Sequence, residues 1–174
     1  MKNNKIGFDL DGVFINLPPF IPPVIIDSLY KGFYAYRKTS RKNQLIYRYP
    51  GKMERLIRIL SHYSIFRKPI SKNIKGLEKL HKEGVYDIYL VTSRFSFLEN
   101  KTNMLLKKSR LFEYFTEIHT NKGDEQPHIF KERMINKLKI AKYIDDDLDL
   151  ATYLAKNIPT LKVYWLKNKR DKLG

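Results

Sequence analysis

Short apolar runs that alternate with amphipathic segments constrain the fold of this chain more than any other feature. Runs typical of buried strands occupy residues 5–10, 85–92, 115–120, 140–145 and 161–166. Segments with helical signals precede or separate the later runs, at residues 71–83, 97–108, 128–138 and 147–157. Strands that alternate with helices of this length predict an α/β fold with a parallel sheet covered by helices on both faces.

A long stretch between the first two predicted strands interrupts this alternation. Residues 13–69 are too many for a simple crossover, and they contain helical candidates of their own at residues 23–36 and 52–63. We therefore predict a core domain formed by residues 1–12 and 70–174, with residues 13–69 as a small, mainly helical insert. A chain of 174 residues can bury such a core without a disulfide or a structural metal.

The charge of the chain is concentrated in one segment. The formal net charge is +16, and residues 31–75 hold 13 basic residues against one acidic residue, Glu54. This segment either faces an anionic partner, such as a phosphorylated substrate, nucleic acid or an acidic membrane surface, or is a solvated basic face. The chain has no cysteine, which excludes thiolate catalysis, cysteine-ligated zinc and disulfides.

The longest apolar stretch, residues 13–26, does not have the pattern of a membrane span. Four prolines interrupt it, and it is too short to cross a bilayer as one helix. Asp9 and Asp11 precede it, where a secretory signal would carry positive charge. We expect a cytoplasmic protein without integral membrane association.

Aspartates are clustered where two predicted strands end. The clusters follow the first and the fourth apolar run, as Asp9 and Asp11 and as Asp145, Asp146, Asp147 and Asp149. Either cluster alone is typical of an ordinary turn. If the two strands are neighbours in a parallel sheet, the carboxylates converge at one edge, where a hard cation would relieve their repulsion. Oxygen ligands without nearby histidine or cysteine favour Mg²⁺.

Groups that can bind phosphate occur at the other strand ends. Thr92, Ser93 and Arg94 come at the end of the second apolar run, and Lys131 lies near the start of the helical segment 128–138. With the aspartates, they supply the nucleophile, the proton donor, the metal ligands and the hydrogen-bond donors that phosphoryl transfer requires. Arg94 either clamps a substrate phosphate or pairs with a loop carboxylate.

Three segments and one lysine resemble the ordered motifs of the haloacid dehalogenase (HAD) superfamily. The segments are Phe-Asp-Leu-Asp-Gly-Val at residues 8–13, Leu-Val-Thr-Ser-Arg at residues 90–94 and Ile-Asp-Asp at residues 144–146, with Lys131 upstream of the last. The strands that carry these motifs extend over residues 5–166, almost the whole chain. The resemblance implies a Rossmann-like core domain, with the insert as a cap that sets substrate choice.

The same resemblance implies a role for each matching residue. Asp9 would attack phosphorus and form an aspartyl phosphate, and Asp11 would protonate the leaving oxygen and then activate water. Thr92 and Ser93 would bind the phosphoryl oxygens, and Lys131 would neutralise the nucleophile and the phosphate. Mg²⁺ would be held by Asp9, the carbonyl of Asp11, Asp145 and Asp146.

Two of these assignments have alternatives in the sequence. The site lysine could instead be Lys122, Lys137 or Lys139. Asp149 could replace Asp146 as a metal ligand, because both spacings from Asp145 occur in the superfamily. We predict that Asp147 is the N-cap or a first-turn acid of the helix that follows.

Three functions are compatible with the sequence. The acid Asp11 favours a phosphatase over a dehalogenase, and the Thr-Ser-Arg and Ile-Asp-Asp motifs resemble the 5′(3′)-deoxyribonucleotidase branch. The first function is therefore hydrolysis of a small phosphomonoester, with a 5′-nucleotide as one candidate. The second is the same chemistry on a nucleic-acid end, which basic residues 31–75 would bind. Aromatic side chains lie among these cations, and they would either stack on bases or form the core of the insert. The third is a non-catalytic module that binds nucleic acid or another anion.

Overall fold

A computed structural model describes residues 4–16, 45, 47, 49–63 and 65–167. Five parallel strands form one sheet, in the order β3-β2-β1-β4-β5. The strands are β1 (Lys5–Phe8), β2 (Asp87–Phe95), β3 (Glu117–Asn121), β4 (Lys142–Asp145) and β5 (Lys162–Trp165). The predicted parallel α/β sheet is confirmed, and β1, which carries the first aspartate cluster, is its central strand.

Five α-helices connect or follow these strands in the described part of the chain. They are α1 (Lys52–Ser61), α2 (Ser71–Glu83), α3 (Glu99–Lys108), α4 (Pro127–Leu138) and α5 (Leu148–Asn157). Short 3₁₀ turns at Ser96–Leu98 and Leu111–Tyr114 flank α3. None of the described helices is long and apolar enough to cross a membrane.

The two faces of the sheet bury separate apolar clusters, because neighbouring strand residues point in opposite directions. In β2, Ile88 and Leu90 face the cluster that includes Leu77 of α2 and Leu106 of α3. Tyr89 and Val91 of the same strand face the second cluster, which contains side chains of α4 and α5. Helices on both faces therefore cover the central strands and leave the sheet edge at their carboxyl ends for polar residues.

The residues predicted to form the insert, 13–69, lie between β1 and α2 in the chain. The first residues of the insert, Val13–Ile15, are almost fully buried in the cluster beneath α2. The backbone N–H of Asn16 donates to the carbonyl of Lys68 (2.9 Å), which ties the two ends of the insert together. The predicted helix at residues 52–63 is present as α1, whereas the helix predicted at residues 23–36 lies outside the described residues.

Candidate active site

Asp9 lies directly beyond the carboxyl end of β1, at the centre of the sheet edge. Its backbone N–H donates to the carbonyl of Ile144 in β4 (2.9 Å), which continues the strand pairing by one residue. The side chain is almost fully buried. Because β1 is flanked by β2 and β4, Asp9 stands between the two other strand ends that carry polar groups.

Lys131 is the lysine that reaches the aspartates. It projects from α4 and is 1% exposed, and its Nζ lies 2.7 Å from Asp145 Oδ2 and 3.0 Å from Asp9 Oδ1. The two carboxylates hold the pKa of Lys131 well above its usual range, although burial opposes this. Of the alternatives, Lys137 and Lys139 are exposed, and Lys122 is exposed and pairs with Glu99.

Three carboxylates converge beside Lys131. One oxygen from each of Asp9, Asp145 and Asp146 lies within 4.8 Å of the others. Burial, with repulsion from Asp145 and Asp9, raises the pKa of Asp146 to about 9. Burial also raises the pKa of Asp9 to about 7, against the opposing charge of Lys131. Burial is the main cause of both rises and repulsion from the neighbouring carboxylates adds to it, so a cation bound at this cluster would favour the ionised forms.

The remaining aspartates after β4 start the next helix. Asp147 is the N-cap of α5, as predicted, and its carboxylate accepts from the backbone N–H groups of Asp149 and Leu150. Asp147 in turn donates its own N–H to Asp145 Oδ1 (3.0 Å), which orients that carboxylate. Asp149 is exposed and does not belong to the three-carboxylate cluster.

The end of β2 supplies the hydroxyl groups and an arginine. The strand is longer than predicted and includes Thr92, Ser93 and Arg94, and its register with β3 shifts between Thr92 and Phe95. Thr92 is buried and Ser93 is half-buried.

The carboxylate of Asp11 is not one of the three clustered carboxylates, and it is held by two guanidinium groups. Arg94 binds both oxygens, with Nε 2.7 Å from Oδ2 and Nη2 2.6 Å from Oδ1, and Nη1 of Arg67 donates to Oδ1 at 3.1 Å. Burial alone would raise the pKa of Asp11, but Arg94 and Arg67 hold it well below its usual range. Of the two roles predicted for Arg94, the structure shows the pairing with a carboxylate.

Several residues beside the site were not identified from the sequence. Arg67 comes from the insert, and Tyr47, also from the insert, exchanges two backbone hydrogen bonds with the side chain of Gln126 (2.8 and 3.0 Å). The Tyr47 hydroxyl donates to Asp147 (3.0 Å). None of these contacts has a local sequence signal, because each joins residues at least 56 positions apart.

Comparison with known proteins shows similarity in structure but not in sequence. No protein-family profile matches the chain, and no curated protein matches it in sequence. A Haemophilus somnus protein described as a predicted phosphoglycolate phosphatase superimposes with a TM-score of 0.62 at 14% identity, over 96% of this chain and 86% of that one. A haloacid dehalogenase-like hydrolase described from Bacteroides fragilis gives 0.61 at 13% identity, over 98% and 92%.

A third similar structure was determined with a metal. The HAD-hydrolase YfnB from Bacillus subtilis, bound to magnesium, gives a TM-score of 0.61 at 14% identity, over 95% of this chain and 89% of that one. At this level of identity the similarity shows that the chain has the HAD-like α/β fold. The function of the chain therefore depends on the side chains at the sheet edge.

Proposed function

We propose that this protein is a Mg²⁺-dependent phosphatase that hydrolyses a small phosphomonoester through phosphorylation of Asp9. The observation that carries the proposal is the position of Asp9 at the centre of the sheet edge. Its carboxylate contacts Lys131 and lies in one cluster with Asp145 and Asp146. A carboxylate beside a fixed cation and a metal-binding cluster is suited to nucleophilic attack on phosphorus.

The cation site favours Mg²⁺ because its donor atoms are all carboxylate oxygens. Asp9, Asp145 and Asp146 would hold the ion, with the carbonyl of Asp11 as the additional ligand predicted from the sequence. When bound, Mg²⁺ would neutralise charge on the nucleophile and on the phosphoryl oxygens.

Asp9 must be ionised to act as the nucleophile. Burial raises its pKa to about 7, and the charge of Lys131 opposes this rise. In the first step a bond forms between a carboxylate oxygen of Asp9 and phosphorus, and the bond from phosphorus to the leaving oxygen breaks. Thr92 and Ser93, at the end of β2, are the candidate donors to the phosphoryl oxygens.

Asp11 is the candidate for proton transfer in both steps. In the first step its proton passes to the leaving oxygen, and in the second it accepts a proton from the water that attacks phosphorus and regenerates Asp9. The role as base suits the ionised form that Arg94 and Arg67 favour. For the role as acid, Asp11 must take up a proton before the leaving group departs.

Two described cations of the insert favour a small substrate over a nucleic-acid end because they are buried in ion pairs, whereas Lys52 and Lys68 are exposed. Arg58 is buried in an ion pair with Glu54 (2.7 Å), and Arg67 is buried against Asp11. These two charges act inside the protein instead of forming a surface for a polymer backbone. Within the small substrates, a 5′-nucleotide remains the first candidate, because of the resemblance of the Thr-Ser-Arg and Ile-Asp-Asp motifs.

The proposal is tested by hydrolysis of p-nitrophenyl phosphate. The wild type, Asp9→Asn and Asp87→Asn are compared with Mg²⁺ and with EDTA. Asp87 is an exposed aspartate at the opposite end of β2, so its variant controls for loss of one carboxylate. We expect activity in the wild type and in Asp87→Asn. Asp9→Asn should lose activity by a thousandfold or more, which is on the order seen when other enzymes lose their nucleophile.

EDTA should abolish the remaining activity. Equal rates for the wild type and Asp9→Asn, or a wild type that releases no p-nitrophenol, would contradict the proposal. A second arm compares free 5′-nucleotides with a 5′-phosphorylated oligonucleotide at increasing salt. Preference for the oligonucleotide, lost steeply with salt, would replace the small substrate with a nucleic-acid end.

A further inference from the structure

Arg67 approaches Asp11 from the insert, whereas Arg94 approaches it from β2. The Arg94 guanidinium binds both oxygens of Asp11 as a fork. Arg67 adds a third hydrogen bond, at 3.1 Å, to Oδ1 alone. A carboxylate held by one fork can still move with that side chain, whereas an additional donor on another segment fixes both groups.

Arg67 is itself held by the residues that follow α1. Its Nε donates to the carbonyl of Ser61 (3.3 Å), and its Nη2 lies 2.9 Å from Nε2 of His62. The Nδ1 of His62 lies 2.6 Å from the carbonyl of Arg58. A neutral His62 that donates from Nδ1 has Nε2 free to accept from Arg67, so one tautomer satisfies both contacts.

The electrostatic environment of His62 agrees with this tautomer. The ring is 2% exposed, and burial, with the nearby charges of Arg94 and Arg67, holds its pKa well below the usual range. His62 is therefore neutral at pH 7, as an acceptor toward Arg67 must be. The chain of contacts runs from the backbone of α1 through His62 and Arg67 to Asp11.

The side chain of Asp11 is more exposed than the two arginine side chains that bind it. The Asp11 side chain is 23% exposed, whereas the side chains of Arg67 and Arg94 are 2% and 4% exposed. Both arginines thus lie on the protein side of the carboxylate. Among the described residues, the hydrogen-bond partners of Arg67 are Asp11, His62 and the carbonyl of Ser61.

We infer that Arg67, oriented by His62, is a positioning residue that fixes the carboxylate of Asp11 for proton transfer during phosphoryl transfer. This inference rests on the proposed function. It assigns to the insert a part in the chemistry in addition to its predicted part in substrate choice. The physical reason is that a proton donor or acceptor displaced by about 1 Å from its productive position costs up to about a hundredfold in rate.

The test measures kcat and KM for p-nitrophenyl phosphate, together with Tm, in the wild type, Arg67→Ala, Arg67→Lys and Lys68→Ala. Lys68 is the exposed neighbour of Arg67, so its variant removes one positive charge without the contact. We expect Arg67→Ala to lower kcat roughly tenfold to a hundredfold with KM within twofold of the wild type. Lys68→Ala should match the wild type.

Arg67→Lys keeps the charge and can still donate to Asp11, but it loses the separate guanidinium donors that contact Ser61 and His62, so its kcat should lie between those of the wild type and Arg67→Ala. This variant also decides the question if Arg67→Ala does not fold. In that case a lowered kcat with unchanged KM in Arg67→Lys supports positioning, and wild-type kinetics overturns it.

Other outcomes overturn the inference in distinguishable ways. A raised KM with unchanged kcat would show that Arg67 binds substrate. A lowered Tm with unchanged kinetics would show a structural role only. If the wild type is active and Arg67→Ala equals it, positioning fails while the phosphatase proposal stands; if the wild type is inactive, both fail.

Discussion

Gly12 and Asp146 are in such close contact that any side chain at position 12 would have to displace the Asp146 carboxylate. A Cβ atom on Gly12 would lie 1.7 Å from Oδ2 of Asp146, far inside any van der Waals contact. Gly12 also has φ of +69°, in the left-handed region that favours glycine. The turn after β1 therefore brings its backbone against the acidic loop after β4, which places both aspartate clusters at one point.

Substitution of Gly12 by alanine should displace the Asp146 carboxylate and weaken Mg²⁺ binding. Strain at the positive φ adds a destabilisation of about 1 kcal/mol. The measurement is Mg²⁺ affinity by isothermal titration calorimetry, with stability from urea unfolding. Gly76→Ala is the matched control, since a Cβ at Gly76 in α2 would meet nothing within 4 Å. Wild-type Mg²⁺ affinity in Gly12→Ala would contradict the packing described.

The raised pKa values in the carboxylate cluster predict a stability that depends on pH and on Mg²⁺. The pKa values of Asp9 and Asp146 are raised to about 7 and about 9. Unfolded aspartate titrates near 4, so between pH 7 and pH 9 the folded state binds more protons than the unfolded state. Without Mg²⁺, stability should therefore fall as the pH rises through this window, by about 1–2 kcal/mol per pH unit.

Thermal unfolding at pH 7, 8 and 9 checks this dependence. Tm should fall by a few degrees without Mg²⁺. Mg²⁺ should raise Tm most at pH 9, where it competes with the fewest bound protons. Asp146→Asn should make Tm depend less on pH in the absence of Mg²⁺. Titration of the buried His62 does not determine the slope between pH 7 and pH 9, because this histidine is neutral in the folded state and its unfolded form titrates below pH 7. A Tm that rises between pH 7 and pH 9 would be inconsistent with raised pKa values in the carboxylate cluster.

Loss of Lys131 should destabilise the protein strongly at neutral pH. Lys131→Met leaves Asp9 and Asp145 facing each other without their shared cation, and breaking a buried ion pair typically costs roughly 3–5 kcal/mol. At pH 5 the cost should be smaller, because the carboxylates can take up protons. Urea unfolding at both pH values measures the difference, with Lys137→Met, an exposed position on the same helix, as the control. An equal effect of the two substitutions would show that Lys131 does not compensate the cluster.

The fold was predictable because its signals are local. The apolar runs of β2 and β4 are bounded by polar residues and separated by helical segments, and this order is sufficient for a parallel sheet. The predicted ends of the strands were less accurate than their order. The strand β2 continues to Phe95 although Ser93 and Arg94 are polar, because the shift in register toward β3 accommodates them.

The candidate site was predictable to the extent that it consists of strand ends. Asp9 and Asp145 each follow an apolar run, and Lys131 lies on the helix that leads into β4, so topology alone brings them together. Arg67 and Tyr47 could not be predicted in the same way. Their contacts depend on how the insert lies against the core, and no periodic pattern in the sequence encodes that arrangement.

Phosphorylation of Asp9 is the step on which the proposed activity depends most directly, and chemical trapping tests it. The wild type is mixed with p-nitrophenyl phosphate and Mg²⁺, quenched in acid and reduced with borohydride, which converts an aspartyl phosphate to homoserine. Peptide mass spectrometry then locates the modified position. We predict homoserine at position 9, absent when Mg²⁺ is omitted and absent in Asp9→Asn. Homoserine at Asp145 or Asp146 instead, or phosphate release with no modified aspartate, would contradict the assignment of Asp9 as the nucleophile.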